Sequence, residues 1–424
     1  MSPALPRRNL LKLGLVGAGA ALLPMPAMAR TRARVVIVGG GFGGATAARR
    51  VKALLPSAQV TLIEANPVFT ACPFSNLVIG GQRALAEQEF SYSALIESGI
   101  KLVTAQARDI DPIARTIDCG PDLSVEYDKL ILSPGIDLRW SALEGYNESA
   151  ADVMPHAWKA GSQTTLLRQR LETLRDGETV LMSVPTAPYR CPPGPYERAS
   201  LIAHHLKTRK PRSKLIVLDS KDQFSKQALF QEAWAEHYPD HLEWRGARDD
   251  GTVSRVDASS DTLETDFERF QSPAINIIPP QKAAFIADRA GVTDATGWCP
   301  IDPLTFESRL QSKIHVIGDA TIAAPMPKSA FSANLQGKVC AMAVARTLSG
   351  LETFPTVLAN TCYSYTTPDE AISIAGVFRN ANGKLQSING AGGVSPLAAD
   401  KGIRQAEAAQ AAHWFDTITA EAFG

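Results

Sequence analysis

Cys191 sits in the stretch Cys-Pro-Pro-Gly-Pro-Tyr-Glu (191–197), after an apolar run, Thr179–Val184, and before a helix-like run, Arg198–Lys207. A strand, a turn and a helix in that order bind a pyrophosphate when the turn carries spaced glycines. Here the turn carries a thiol among Pro188, Pro192, Pro193 and Pro195 instead. Prolines stiffen the turn and remove N–H donors, which suits a small anion better than a dinucleotide. A helix starting near Pro195 would place its positive end close to Cys191, lowering the thiol pKa and favouring a thiolate. Such a turn is poorly made for a nicotinamide and well made for a reactive thiol.

The elements that must position this thiol begin with Arg34–Leu54, "RVVIVGGGFGGATAARRVKAL". Val35–Val38 read as a strand buried on both faces. Gly39, Gly41 and Gly44 then fit G-x-G-x-x-G at the entry to a helix. The first glycine permits the tight turn, the second lets a pyrophosphate approach, and the third lets helix pack on strand. A second apolar strand ends in Glu64, ~20 residues beyond Gly44, where a ribose-binding carboxylate is expected. Two later strands, "YDKLILSPGI" and "KIHVIGDATIAAP", end at Ser133–Gly135 and Gly318–Asp319. They resemble the extra segments of glutathione-reductase-like flavoproteins, which turns the expectation from NAD to FAD; on its own, Asp319 would read as a helix N-cap.

The implied fold class is α/β: two Rossmann-like dinucleotide-binding domains of the glutathione-reductase type plus a C-terminal α+β domain. The expected boundaries are an FAD-binding part over 30–145, a second nucleotide-binding-like domain over 146–271 carrying Cys191, a returning FAD part over 272–350, and a C-terminal domain over 351–424. The second domain has its own second strand, "SKLIVLDS", ending near Asp219. The polar stretch 243–266 reads as hairpins or loop.

In "GGGFGGATAA", "CPFSNLVIGG", "APYRCPPGPYERA", "IGDA" and "NTCYS" the chain resembles the flavoprotein subunits of flavocytochrome c sulfide dehydrogenases, in one superfamily with sulfide:quinone oxidoreductases. The resemblance implies FAD held covalently by Cys72 through the flavin 8α carbon. It implies a redox-active disulfide between Cys191 and Cys362, and a proton-transfer role for Glu197. It implies hydrosulfide as substrate and a c-type cytochrome subunit as partner. The flavin-contacting set is Gly39, Gly41, Phe42, Gly44, Glu64, Ala65, Cys72, Ala107, Ser133, Gly135, Gly318 and Asp319. Read from the residues alone, Cys362 could pair with Cys299 or stay reduced, and Glu197 could simply complement the helix dipole. Cys340 reads as core and Cys119 as a hairpin residue. A quinone acceptor and a non-catalytic flavoprotein accessory are the competing functions; for the former, the aromatics of the last helix, Trp414 and Phe415 among them, would form a membrane foot, though that helix lacks the usual basic face.

Composition sets further bounds. The 424 residues carry 43 basic and 43 acidic side chains, with no like-charge run of the kind that binds nucleic acid. Residues 1–29 read as a twin-arginine-type signal peptide: Arg7-Arg8, a short apolar run broken by Pro24 and Pro26, and a small-residue cleavage site ending at Ala29. The apolar run is short of the ~20 residues a span requires, so no transmembrane segment is expected, and the periplasm is the expected compartment. No Cys-x-x-Cys-His occurs, so any c-type haem belongs to a partner. No His/Cys spacing resembles a metal site, and NADH is not expected to bind.

Overall fold

Val35–Val38, an unbroken apolar run, form the middle of β1 (Arg34–Val38), whose side chains are almost wholly buried. The computed structural model describes residues 32–424; the signal-peptide reading of 1–29 lies outside them. From β1 the chain passes through the glycine turn into α1 (Phe42–Leu54) and back to β2 (Gln59–Glu64), which pairs parallel to β1. A short helix, α2 (Ser75–Gly80), follows Cys72, and two further parallel strands, β3 (Lys101–Thr104) and β4 (Lys129–Leu132), flank the first pair. A fifth strand at Ile314–Val316 completes this sheet beside β4.

The intervening chain builds a second parallel sheet. β5 (Thr179–Val184) leads through the proline turn into α3 (Gly194–Arg209), then β6 (Lys214–Asp219), α4 (Gln227–His237) and β7 (Leu242–Arg245). β8 (Ala274–Ile277) pairs with β5 on the other side. The second sheet therefore runs past residue 271, the expected boundary, because Ala274–Ile277 are buried against β5 rather than returned to the first sheet. Of the polar stretch, Glu243–Arg245 belong to β7, Arg255–Asp257 and Thr262–Glu264 pair as a short antiparallel hairpin, and Arg269–Gln271 just beyond the stretch adds a third strand.

After β9 (Ile314–Val316), the long α5 (Ala330–Leu348) packs along α1. Contact is close because two glycines meet. A Cβ on Gly337 would lie 2.5 Å from Gly43 O. The C-terminal part pairs β10 (Val357–Thr367) with β11 (Glu370–Ala381), and β11 with β12 (Lys384–Ser387). The β11–β12 turn uses Asn382 and Gly383, both with positive φ, as a tight hairpin favours. The final helix, α6 (Lys401–Phe423), lies on this sheet and on α1. Its Phe423 stacks on Phe69 and Phe90, and Phe415 stacks on Phe74.

The α1–α5 contact predicts that Gly337→Ala lowers stability by about 1–3 kcal/mol, the usual cost of overpacking. Urea midpoints of the two proteins measure it, and equal midpoints would show that the helices can separate freely.

Candidate functional site

The glycine turn closes one end of a cavity of about 620 Å³ lined by both sheets' turns, the N-terminus of α5 and the C-terminal part. Gly39 has φ +95°, and a Cβ there would come within 2.2 Å of Ser133 O, so only glycine allows β1 and β4 to end side by side. Glu64 Oε2 accepts from Gly40 N at 2.7 Å, which sets its carboxylate at the rim of the turn. Gly135 and Gly318, with φ +68° and +75°, shape the other two turns. Asp319 follows Gly318 at the end of β9. Its Oδ1 is buried without a partner, while Arg190 lies 3.8 Å from Oδ2. Burial pushes the Asp319 carboxyl up, opposed by Arg190 and Lys328.

These features fit FAD. The volume lies in the range of small-molecule sites, the glycine cradle leaves no room for side chains, and a helix N-terminus (α5, capped by Ser329 Oγ accepting from Ser332 N at 3.0 Å) faces the same space. The orphaned Asp319 oxygen is an acceptor in want of a hydroxyl donor, which a ribityl chain has.

Three cysteines meet at the same cavity: Cys72, Cys191 and Cys362, all free thiols. Cys72, ahead of α2, has Sγ 3.1 Å from an Arg190 guanidinium nitrogen. Cys191 occupies the turn before α3 with φ +52°, a left-handed backbone that L side chains disfavour. Its N–H donates to Lys328 O at 2.8 Å, tying the turn to the residue before Ser329. Cys362 comes from β10, with Asn360 Nδ2 donating to its Sγ at 3.3 Å. Cys191 is exposed and lines the cavity. α3 begins at Gly194, as expected for a helix start close to the thiol. The thiol is nonetheless pushed up, not down: burial dominates, Cys362 and Glu197 add to it, and Lys226 and Arg190 oppose it. Burial likewise raises Cys362.

Glu197, in the first turn of α3, is buried and its carboxylate reaches two other segments at once. Its Oε2 accepts from Asn76 Nδ2 at 2.7 Å and its Oε1 from Tyr365 N at 2.9 Å. Asn76 is itself oriented by Arg198 Nε, 3.1 Å from its Oδ1. The Arg198 guanidinium also bonds His156 O and Asn276 Oδ1 and lies over the Trp158 ring. Burial pushes the Glu197 carboxyl up, against the pull of these donors and of Lys226 and Arg198.

Of the residues singled out from sequence, Gly39, Gly41, Phe42, Glu64, Cys72, Ser133, Gly135, Cys191, Glu197, Gly318, Asp319 and Cys362 line this one cavity. Gly44, Ala65 and Ala107 do not. Gly44 is buried against Gly39, Ala65 is exposed beyond Glu64, and Ala107 is packed in the core. Cys299, Cys340 and Cys119 are buried away from it. Arg190, Asn76, Arg198, Lys328 and Trp158 line the cavity without having been singled out; Asn76 and Arg190 stand inside the stretches "CPFSN" and "APYRCPPG", the one available signal. Trp414 lines it too, whereas Phe415 is buried behind.

The second sheet's equivalent position is filled. Asp219, at the end of β6, is wholly buried and accepts from Tyr196 OH at 2.7 Å, Lys221 Nζ at 2.6 Å and Trp244 Nε1 at 3.0 Å. Tyr196 stacks on Phe224 with ring centroids 3.6 Å apart. Side chains of this chain thus satisfy the carboxylate that a nucleotide ribose would otherwise engage.

Three family models match the chain. Residues 164–279 match the central part of the sulfide dehydrogenase (flavocytochrome c) flavoprotein chain, and 355–423 match the flavin-binding part of flavocytochrome c sulphide dehydrogenase. Residues 33–170 match pyridine nucleotide-disulphide oxidoreductases. A flavoprotein chain of sulfide dehydrogenase (flavocytochrome c) from Chlorobaculum thiosulfatiphilum is 58% identical over 45 residues, which cover 11% of this chain and 94% of that sequence. The mitochondrial sulfide:quinone oxidoreductase of Mus musculus is 25% identical over 339 residues, 73% of this chain and 71% of that one. Among solved structures, the sulfide:quinone oxidoreductase of Aquifex aeolicus superposes with a TM-score of 0.69 over 92% of each chain at 18% identity, a likeness of fold.

His156, whose carbonyl holds Arg198, gives a pH prediction. Its Nδ1 accepts from Trp158 N at 2.9 Å, and burial pushes its pKa down to about 3, helped by Arg198, Lys159 and Arg190. The unfolded chain therefore takes up a proton below about pH 6.5 that the folded chain refuses, so stability falls as pH falls. Between pH 7 and 5 this residue accounts for about 2 kcal/mol of loss. In His156→Asn, which keeps an acceptor near Trp158, the loss measured by urea unfolding should shrink by that amount. An unchanged loss would mean His156 titrates normally.

Proposed function

The chain belongs to the flavoprotein family of flavocytochrome c sulfide dehydrogenases and sulfide:quinone oxidoreductases, and on that premise we propose that it oxidises hydrosulfide through a Cys191–Cys362 pair and delivers the electrons to a c-type cytochrome subunit. At the coarser level it is a sulfide-oxidising, FAD-binding oxidoreductase. The observation that carries the finer reading is the meeting of Cys191 and Cys362, from distant parts of the chain, on one wall-to-wall cavity with the glycine cradle.

In the proposed cycle hydrosulfide attacks one sulfur of a Cys191–Cys362 disulfide. A bond forms between substrate sulfur and that cysteine, the disulfide bond breaks, and the other cysteine leaves as a thiolate. Glu197, whose carboxyl is raised by burial, takes up the hydrosulfide proton within the same enclosed space. Arg190 and Lys226 supply positive charge around the sulfur anions. FAD, held by the glycine turn, Glu64, Asp319 and a thioether to Cys72, supplies two-electron acceptance from sulfur and one-electron return to the acceptor. Cys72 suits the attachment because it lies on the cavity wall beside Arg190.

A cytochrome acceptor is preferred over quinone on a specific ground. The aromatics of α6 that would form a membrane foot are packed inward, Phe415 and Phe423 among them, and no helix among the described residues is long and apolar enough to cross a membrane. The occupied carboxylate of Asp219 supports the exclusion of NADH. The Arg7-Arg8 leader supports export to the periplasm, where such a cytochrome would be met.

Replacing Cys191 or Cys362 by Ser should abolish flavin bleaching by sulfide, at least a hundredfold in rate, while dithionite still bleaches it. Stopped-flow absorbance measures both, and retained sulfide reduction in either variant ends the cysteine-pair reading. In the wild type, turnover with sulfide and cytochrome c should exceed turnover with sulfide and a soluble quinone; the reverse order favours the quinone oxidoreductase.

Cys72→Ser should leave the fold intact but let acid or denaturant extract the flavin, which stays with the wild-type polypeptide on a denaturing gel. Free flavin from denatured wild type removes the covalent assignment.

A further inference from the structure

Next to Cys362, outside the cavity lining, lies a buried cation. Lys226 precedes α4 with a left-handed backbone, φ +62°, where glycine or asparagine would sit with less strain. The residue is 8% exposed. Its Nζ donates to Cys362 O at 3.1 Å, to Ser364 Oγ at 2.9 Å and to Ile372 O at 3.2 Å, bridging β10 and β11. All three acceptors are neutral. A buried ammonium with these neutral partners and the Phe230 ring 5.8 Å away is short of full compensation in a low-dielectric setting.

The groups that face this charge come from four elements: Cys362 on β10, Glu197 on α3, Cys191 in the turn before α3, and Glu407 on α6. Burial pulls the ammonium down to about 8, and each of these four pulls it back up, Cys362 most. Conversely, Lys226 opposes the burial that raises Cys191, Cys362 and Glu197. Glu407 is engaged elsewhere, accepting from Ser373 Oγ at 2.7 Å and lying 3.5 Å from Arg404. That leaves the sulfur pair and Glu197 as the natural holders of a compensating negative charge. A purely structural bridge between two strands needs only a neutral donor. A lysine in a strained backbone, with its charge buried, is an expensive way to make one.

We propose that Lys226 is a positioning residue of the sulfur site, its buried ammonium being the countercharge for the anion, thiolate or persulfide, that forms on Cys362. The proposal rests on the cysteine-pair reading above. No bond is made or broken at Lys226; it lowers the free energy of charge on a sulfur carried by the strand it holds.

The test reads the thiol directly. In FAD-loaded Cys191→Ser protein, alkylation of Cys362 by iodoacetamide is followed against pH by peptide mass. Besides Lys226, the groups facing this thiol are Asn360 on its own strand, Glu197 from α3 and Ser329 from the start of α5. Adding Lys226→Gln, which keeps donors but removes the charge, should raise the alkylation midpoint by about one pH unit or more, and Lys226→Arg should restore it toward the parent. A midpoint unmoved by Lys226→Gln overturns the proposal. Should that variant fold poorly, Lys226 is left intact and its own ammonium is titrated by nitrogen-15 NMR. It should titrate at lower pH in Cys191→Ser/Cys362→Ser than in Cys191→Ser, because coupling between two sites is reciprocal; equal midpoints overturn the proposal equally. Sulfide-dependent flavin bleaching by wild type is read alongside. Its absence rejects the functional reading, while the two midpoints still decide whether Lys226 and Cys362 are coupled.

Discussion

The carboxylate of Glu197 ties together the three parts of the chain that the site requires. It accepts from Asn76 of α2 and from the backbone of Tyr365 in β10, and it grows from the helix that follows Cys191. Remove it and two buried donors lose their acceptor, a loss costing about 1–3 kcal/mol each in an apolar setting. More important is geometry. Cys362 lies three residues before Tyr365 on the same strand, so the bond that holds Tyr365 also sets how far Cys362 stands from Cys191. Arg198 extends the clip to His156 and Asn276, and hence to the second sheet. The same acid that serves proton transfer in the proposed chemistry is thus also the fastener of the site.

Burial explains why such a site would rest as a disulfide. Both thiols are raised by desolvation, so an anion on either is unfavourable until something compensates it. A disulfide is neutral and carries no such penalty. In the proposed cycle charge would appear only when a sulfur nucleophile opens the bond, in a space already furnished with Arg190 and neighboured by Lys226. Preformed cations in a water-poor cavity act strongly on charge that develops between them. The helix dipole at α3, which pointed from sequence toward a low-pKa thiol, is real but weaker than desolvation here.

What the sequence disclosed follows from where its signals reside. The glycine turn, Glu64, Gly318–Asp319 and the three cysteines are local patterns, since a tight turn or a strand end demands particular residues at fixed offsets. These landed on one cavity. Ala65 and Ala107 carried no such demand, and neither reaches it. Strand 274–277 was allotted to the wrong sheet because an apolar run shows that a strand is buried, not which partner buries it. Lys226 and Lys328 lie in no motif, and Asn76 and Arg198, though they stand inside "CPFSN" and "PYERA", gave no sign of their roles. Several of these roles arise from contacts between segments more than a hundred residues apart, as with Asn76 and Glu197 or Lys226 and Cys362, and single-sequence periodicity is blind to these.

The second sheet shows how a fold can be retained while its original task is closed off. β5, α3 and β6 keep the order and parallel pairing of a nucleotide-binding unit, and Asp219 keeps the terminal acid. Yet that acid is saturated by Tyr196, Lys221 and Trp244, and Phe224 is stacked where an open ribose site would need space. Tyr196 belongs to the same proline-rich segment as Cys191. One stretch of seven residues therefore does two things: its tyrosine fills the position beneath, and its cysteine is lifted, in a left-handed backbone, onto the cavity above. A glycine-rich turn could do neither, because it would leave the carboxylate open and offer no sulfur. The prolines that make this stretch look foreign to a dinucleotide site are what hold both side chains at their posts. Function here follows from that substitution in the turn rather than from the sheet that bears it.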